Sequence, residues 1–282
     1  MNKILLADSG SSKTDWVVLE NNKIVHSFQS IGINPYFWTF EQIVEEIWAS
    51  VVPQVGDKEI QSIFFYGAGC SNESKKAVLQ AAIKEVFRQS EIEVSHDLLA
   101  AARALCGKSD GIACILGTGS NACVFEAGKI TAQPINLGFW LGDEVSCGAL
   151  GKSLVLHFLH QEMPQHLQKA FREIHKISLE EVLEQAYQKP FPNRYFASFA
   201  PFCEKFRQEP FIADMIEKNF DLFLSKYILK LSKSEAYPIH SIGSIAYTFE
   251  AIWRRSLQKH KLLAGKILKS PMQGLIEFYS QA

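Results

Sequence analysis

A pattern near the start of the chain returns 106 residues later, and this internal repeat restricts the fold more than any other feature of the sequence. The apolar run Ile4 to Ala7 leads into a small polar turn, Asp8-Ser9-Gly10-Ser11-Ser12-Lys13-Thr14-Asp15, and then into a second apolar run, Trp16 to Leu19. Glu20-Asn21-Asn22-Lys23 turns the chain into Ile24-Val25. Apolar runs this short, bounded by turn residues, predict strand, turn, strand, turn, strand with no helix between them. The same order recurs as Ile112 to Leu116, Gly117-Thr118-Gly119-Ser120-Asn121, Ala122 to Phe125, and Glu126-Ala127-Gly128-Lys129 into Ile130. Read as a duplication, it means two related halves, each opening with a β-hairpin whose first turn is made of small hydroxyl and glycine residues.

Between the hairpins, Ile43, Val44, Ile47, Trp48 and Val51 carry helical spacing over 40–52, and 60–66 is an apolar strand ending in Gly67-Ala68-Gly69. A helix over 74–88, a short strand at 92–94 and an Ala-rich helix over 97–106 follow. Beyond Leu150 the periodicity predicts helices over 152–160, 178–187, 194–206 and 211–231. A buried strand at 238–242 ends in Gly243-Ser244, and a helix over 246–258 and an amphipathic turn or two over 273–279 close the chain. Strands alternating with helices make the class α/β. With 282 residues the chain exceeds one ordinary domain. The expected division is 1–107 and 108–282, the second part carrying helical additions and the last helix a candidate to return to the first domain.

Charge and cysteine usage exclude several function classes. Lys and Arg number 29 against 30 Asp and Glu, a net charge of −1, so nothing drives the neutralisation of many phosphates and nucleic acid is not an expected partner. The apolar stretches are strand-sized, short of the roughly 20 residues a membrane span needs. The opening Met1 to Asp8 meets an acid too early for a secretory signal. A soluble, cytoplasmic protein without a membrane partner is expected. The six cysteines, Cys70, Cys106, Cys114, Cys123, Cys147 and Cys203, show no C-x-x-C and no zinc spacing, which reads as packed thiols.

Three phosphate-binding patterns almost fit. Gly151-Lys152-Ser153 resembles the end of a P-loop, but the first glycine of that motif would fall at Ser146. Gly117 to Ala122 fits G-x-G-x-x-A, yet that reading needs a helix at once, and Cys123-Val124-Phe125 is a strand. Gly67-Ala68-Gly69 has Asn72 where a third glycine belongs. What does fit is an anion held by turns between antiparallel strands. There glycine and small hydroxyl residues let backbone N–H groups converge without a blocking side chain.

The pair of turns, with Gly67-Ala68-Gly69 between them, Asp97 opening a helix and Gly243-Ser244 late in the chain, resembles the sugar kinase, actin and heat-shock ATPase superfamily. More narrowly it resembles the BadF/BadG/BcrA/BcrD ATPase family and its N-acetylglucosamine kinase members. The most specific piece is Ile115-Leu116-Gly117-Thr118-Gly119-Ser120-Asn121 followed by Gly138-Phe139-Trp140-Leu141-Gly142-Asp143-Glu144. The resemblance implies two ribonuclease H-like (actin/hexokinase-like ATPase) domains with a nucleotide and substrate cleft between them. It implies ATP and Mg²⁺ as cofactors. Ser9, Gly10, Ser11, Ser12, Lys13 and Thr14 would form the first phosphate loop, Gly117, Thr118, Gly119 and Ser120 the second, and Gly243 and Ser244 would lie against the adenosine. Asp8 would organise the metal, Asp97 would be the catalytic base, and Asn34, Asp97, Gly138 and Asp143 would touch an amino sugar. Two departures stand out: the family carries more glycine where this chain has Ser9, Ser11 and Ser12, and Leu137 replaces the Trp of the animal enzymes.

The residues by themselves support parts of this. Asp97 follows a short strand and can cap its helix while pointing a carboxylate outward; adjacent His96 reads as filler. As base it would accept the proton of a sugar hydroxyl attacking the γ-phosphate. Asp8 ends a strand beside the first turn, where magnesium bound to phosphates needs a carboxylate. Asn34 and Asp143 sit in glycine-containing loops suited to hydroxyl recognition, and Tyr36, Phe37, Trp38, Phe139 and Trp140 are candidates to stack on a pyranose. The first reading is therefore an amino-sugar kinase acting on N-acetylglucosamine, glucosamine or N-acetylmuramic acid. An alternative in the same family is an ATPase that activates a dehydratase or reductase through an iron–sulfur cluster shared across a homodimer, for which Cys123 and Cys147 are the loosely placed pair. A non-catalytic sugar sensor is a third reading, opposed by the presence of both Asp8 and Asp97.

Overall fold

The computed structural model describes residues 3–10, 13–55, 59–67, 69–70 and 72–281. The chain divides into two compact units, one of Met1–Ser109, Ala127–Lys129 and Pro271–Ala282, the other of Asp110–Glu126 and Ile130–Ser270. Each is built on a five-stranded mixed sheet, so the class is α/β.

In the first unit β1 (Lys3–Ser9), β2 (Lys13–Glu20) and β3 (Lys23–Ile31) form an antiparallel meander, and β4 (Ser62–Gly67) and β5 (Glu91–His96) continue the sheet in parallel, in the order β3-β2-β1-β4-β5. The chain also forms α1 (Phe40–Glu46), a π-helical stretch Ile47–Val51, α2 (Val52–Val55), α3 (Glu73–Val86) and α4 (Asp97–Cys106). Thr39 caps α1 with a capping box to Gln42, and Asn72 caps α3 through its side-chain oxygen to Ser74 and Lys75. Asn72 thus does the work of a helix start rather than of a third phosphate-binding glycine. The core gathers Leu5, Ala7, Val18, Ile43, Ile47, Ile63, Phe65 and Ile83 around Trp16, which stacks on Phe28 and meets Phe65 edge-on.

The second unit repeats the plan. β6 (Gly111–Leu116), β7 (Ser120–Glu126), β8 (Lys129–Ala132), β9 (Ile239–Ile242) and β10 (Ala264–Leu268) run in the order β10-β9-β6-β7-β8. With β6 set on β1, both sheets follow the 3-2-1-4-5 order of the ribonuclease H-like fold, and the duplication expected from the hairpins is present in the topology. Even the hairpin tips agree. Asn21 and Asn22 have φ of 48° and 65°, and Ala127 and Gly128 have 48° and 79°, the left-handed pair that a two-residue hairpin turn requires.

Helices of this unit are α5 (Gly138–Leu141), α6 (Cys147–Leu159), α7 (Gln165–His175), α8 (Leu179–Tyr187), α9 (Pro192–Ala197), α10 (Ala200–Lys205), α11 (Pro210–Lys226), α12 (Ser244–Thr248) and α13 (Glu250–Lys259). Their core centres on Leu150, Leu154, Phe171, Phe199, Phe220, Phe223 and Trp253. A last helix, α14 (Met272–Ser280), belongs to the first unit and lies on α4. The approach is close enough that a Cβ on Gly274 would fall 2.4 Å from the Ala104 carbonyl oxygen, and Tyr279 donates or accepts at 2.5 Å with Tyr66. No helix among the described residues is long and apolar enough to cross a membrane.

Several elements depart from the sequence expectation. The two first turns are shorter than expected, because Asp8, Ser9, Lys13 and Thr14 pair in the β1–β2 ladder despite their polarity. β3 runs to Ile31 as a largely exposed strand whose pattern carries little hydrophobic signal. The helix expected over 194–206 breaks at Ser198-Phe199, and that over 246–258 begins at Ser244 and breaks at Phe249. α5, α7 and β10 were not anticipated; α7 buries only Leu167 and Phe171, and the exposed positions of β10 interrupt its apolar run.

Candidate active site

Because β1, β4 and β5 are parallel, their carboxyl ends line up: Asp8, Tyr66 and Ser95 share one row, and Ser9, Gly67 and His96 the next. Ligands of open α/β sheets collect at such ends. Asp97 follows immediately as the first residue of α4. The cap expected of Asp97 is made by its neighbour: His96 occupies the N-cap and its Nδ1 accepts the Leu99 N–H at 3.3 Å. Burial holds the His96 imidazole on the neutral side, the form in which Nδ1 can accept. Asp97 is thereby spared the capping role. Its Oδ1 accepts the Leu98 N–H at 2.9 Å, and burial raises its carboxyl above the usual range against the pull of His96 and that N–H.

Asp8 is half-buried and stands opposite Asp15. Burial, then the charges of Asp15 and Asp97, push its carboxyl up to about 7, while Lys13 pulls the other way. The described residues hold no group of three or more metal-ligating side chains, but a divalent cation such as Mg²⁺, brought in on phosphate and kept partly in water, would relieve the charge that Asp15 and Asp97 place on the Asp8 carboxylate. The residues therefore fit a metal held at Asp8.

The rest of the first turn is less available than the sequence implied. Gly10 donates its N–H to the Lys13 carbonyl at 2.9 Å, and Lys13 Nζ lies 3.0 Å from Asp15 Oδ1. Ser9 and Thr14 are buried strand residues whose hydroxyls lie 2.8 Å apart. Ser11 and Ser12 fall outside the described residues. Beside this turn, Asn34 Oδ1 accepts the Tyr36 N–H at 2.9 Å, leaving its Nδ2 as the donor it can offer a hydroxyl. Gly69, with φ of 89°, makes room for it: a Cβ there would come within 2.5 Å of Asn34 Oδ1. Tyr36 and Phe37 are exposed and Trp38 half-buried.

In the second unit the turn Gly117-Thr118-Gly119 is held from outside itself. The Cys147 N–H, at the start of α6, donates to the Gly117 carbonyl at 2.8 Å. Ser120 donates its N–H to Asp143 Oδ1 at 3.2 Å, and a Cβ on Gly119 would lie 3.2 Å from Asp143 Oδ2. Asp143 has φ of 56° and is fixed by its own N–H donating to the Tyr227 hydroxyl at 3.2 Å. Burial raises the Asp143 carboxyl, opposed by the Ser120 N–H. Gly138, with φ of 67°, opens α5 and donates to Asn136 Oδ1 at 2.7 Å, while Asn136 Nδ2 donates to the Ser120 carbonyl at 3.0 Å. Gly243, with φ of 120°, ends β9 against this same turn: a Cβ there would fall 2.3 Å from the Leu116 carbonyl oxygen. Ser244 is exposed at the head of α12, its Oγ 3.7 Å from Cys147 Sγ.

Each unit thus gathers its own share of the expected residues. The strand registers set Asp8 and Asp15 on Ile115 and Asn121, and Asp97 on Ser270, so all three acids of the first sheet lack an acidic counterpart in the second. Sequence reasoning missed Asp15, the His96 cap, Asn136 and Tyr227. Asn136 has a local signal, an Asx turn two residues before Gly138. Tyr227 is 84 residues from Asp143 and has none.

A scan against protein-family models finds no match, and a search of curated proteins finds none either. Among solved structures, the chain resembles a protein of Porphyromonas gingivalis provisionally assigned as an N-acetylglucosamine kinase, with 39% identity, a TM-score of 0.92 and 99% of each chain covered. A protein of Chromobacterium violaceum with the same provisional assignment matches with a TM-score of 0.77 at 13% identity over 99% of each chain, and the ROK hexokinase of Thermus thermophilus with 0.53 at 12% over 98% of each. These last two likenesses speak for the fold alone. Identity at the level of the first, over nearly the whole of both chains, decides descent: the protein belongs to the N-acetylglucosamine kinase-like family of the sugar kinase, actin and heat-shock ATPase superfamily.

Proposed function

We propose that the protein is a kinase that uses ATP and Mg²⁺ to phosphorylate a hydroxyl of an amino sugar, N-acetylglucosamine or a close relative such as glucosamine or N-acetylmuramic acid. The observation that carries this reading is the placement of Asp8 at the carboxyl end of β1 and of Asp97 at the head of α4, directly after the parallel strand β5 with only β4 between, in a chain with this family membership.

Phosphoryl transfer calls for positioning and charge neutralisation more than for covalent help. Asp97 takes the proton of the attacking hydroxyl, and burial, by raising its carboxyl above the usual range, strengthens it as an acceptor of that proton. The second turn, braced by Asp143 and by the start of α6, orients the phosphates through its backbone N–H groups, whereas the Gly10 N–H of the first turn is already given to Lys13. Asn34 offers Nδ2 to the sugar, and the Gly138 and Asp143 loop supplies the remaining polar groups. Asp8 would hold the metal, which when bound neutralises phosphate charge. Gly243 and Ser244, beside the second turn, would lie against the adenosine.

ADP release measured against a panel of sugars tests this. Stimulation by one or a few amino sugars, lost in Asp97→Asn, is the expected result; turnover undiminished in that variant removes Asp97 as base. The activator reading is disfavoured by the cysteines: Cys123 is buried within β7 and only Cys147 of the six has partial exposure, whereas a cluster shared across a dimer needs thiolates at the surface. Iron and sulfide in the purified protein, with no sugar stimulating turnover, would reinstate it.

A further inference from the structure

We infer that Ser9, although it stands in the turn expected to grip phosphate, is a positioning residue for the sugar: its buried hydroxyl fixes the loop that carries Asn34. The inference rests on the reading of Asn34 as a sugar ligand.

Ser9 is 2% exposed and Thr14 fully buried. Ser9 Oγ donates to the Ile33 carbonyl and accepts the Ile33 N–H, both at 3.0 Å. Thr14 Oγ1, 2.8 Å from Ser9 Oγ, donates to the Ile31 carbonyl at 3.0 Å. Two strand-end hydroxyls therefore pin the chain at Ile31 and Ile33, just as it leaves β3 and immediately before Asn34. Ile33 is itself fully buried, so water is poorly placed to replace the lost partners.

The hydrogen-bond inventory excludes the alternative role. A hydroxyl has one proton and two lone pairs. Ser9 and Thr14 together have two hydroxyl protons for three contacts, the Ile33 carbonyl, the Ile31 carbonyl and each other, and the Ser9 lone pairs also take the Ile33 N–H. A phosphate oxygen only accepts, and the Ser9 hydroxyl has no proton left for it. What the serine determines is where Asn34 sits. From there, Asn34 is locked by the Tyr36 N–H and by the close approach of Gly69. The turn beside the phosphates and the sugar loop are thus one hydrogen-bonded body within this unit.

Steady-state kinetics and calorimetry on Ser9→Ala in the full chain separate the two roles. The expected result is a rise of about tenfold in the KM for sugar and in the Kd of sugar titrated alone, with KM for ATP and nucleotide Kd changed by less than about twofold. Thr14→Ala moves the same constants in the same direction by less, and Ser9→Thr, which keeps the hydroxyl, restores sugar affinity. Should Ser9→Ala fail to fold, the Thr14→Ala and Ser9→Thr pair carries the comparison. A rise confined to the ATP constants makes Ser9 a phosphate ligand and overturns the inference, as does a sugar affinity unchanged in these variants. Wild-type protein that binds nucleotide but no sugar of the panel would instead remove the proposed function, and the inference with it, and that result is visible before any variant is made.

Discussion

Asp8 and Asp15 face each other across the β1–β2 ladder, one step before the pair Ser9 and Thr14 that closes it. Like charges directly opposite on a ladder are destabilising, and Asp97 adds a third charge to the same end of the sheet. The second unit, with Ile115 and Asn121 in the equivalent places, builds the same hairpin without the repulsion. The acids are thus a cost to the first unit's fold, offset in part by Lys13, which lies 3.0 Å from Asp15 Oδ1.

Replacing Asp8 by Asn should abolish phosphoryl transfer and yet stabilise the protein. The ordinary carboxyl value is 3.8 and the folded one about 7. Between these values the folded protein keeps a proton that the unfolded chain has lost, so Asp8 lowers stability progressively as pH rises through the window. At about 1.4 kcal/mol per pKa unit, the variant should gain up to roughly 4 kcal/mol at pH 7 and nothing near pH 4. Thermal melts at both pH values check the sign. Mg²⁺ should raise the melting temperature of the parent protein above pH 7 and leave that of Asp8→Asn unmoved.

Asp97→Asn keeps the side-chain oxygen that accepts the Leu98 N–H, and His96 rather than Asp97 caps α4, so the fold should survive. The expected loss in kcat is about 10²- to 10⁴-fold, the range of general-base contributions. Sugar affinity measured by calorimetry should change far less. A kcat within a few fold of the parent would exclude the base assignment.

Two glycines of the second unit should respond in opposite ways. Gly243→Ala places a methyl group 2.3 Å from the Leu116 carbonyl oxygen at a φ of 120°, and should cost about 3 kcal/mol or more in stability. Gly117→Ala meets nothing within 4 Å and should leave the melting temperature nearly unchanged while raising KM for ATP, because its methyl group projects into open space beside a turn proposed to hold phosphate. Denaturant unfolding together with ATP kinetics distinguishes the two effects.

His240 makes the second unit sensitive to acid. Its Nδ1 accepts the Lys266 N–H at 2.8 Å, and burial, with Lys266 nearby, lowers its pKa to about 4. Between about pH 6.5 and pH 4 the unfolded chain holds a proton that the folded protein excludes, so stability falls with pH through that window, by up to roughly 3 kcal/mol. The Asp8 contribution has the opposite sign there, so the decline should be steeper in Asp8→Asn than in the parent. In His240→Asn, whose side chain does not titrate, the decline should flatten.

The duplicated hairpin, the strand that ends in Gly67, and Asp97 at the head of a helix were all legible from residue type and period. These features depend on neighbours a few positions apart, and turn chemistry and alternation record such neighbours directly. Asp8, Asn34, Asp143 and both turns were singled out as candidates in this way, and their proposed roles come from the family resemblance.

What each polar atom touches lay outside that reach. Ser9 and Lys13 look alike on paper as members of a polar turn, but strand pairing buries one against Ile33 and leaves the other at the surface beside Asp15. Tyr227, just past the end of α11 and 84 residues away, holds Asp143, and His96, which looked like filler, caps α4. Hydrogen bonds between distant segments depend on register and close approach, and these arise only when whole sheets are assembled. Local sequence therefore determined the repeat, the fold class and the candidate acids, and tertiary structure decided which hydroxyls, carbonyls and amides those elements leave for a ligand.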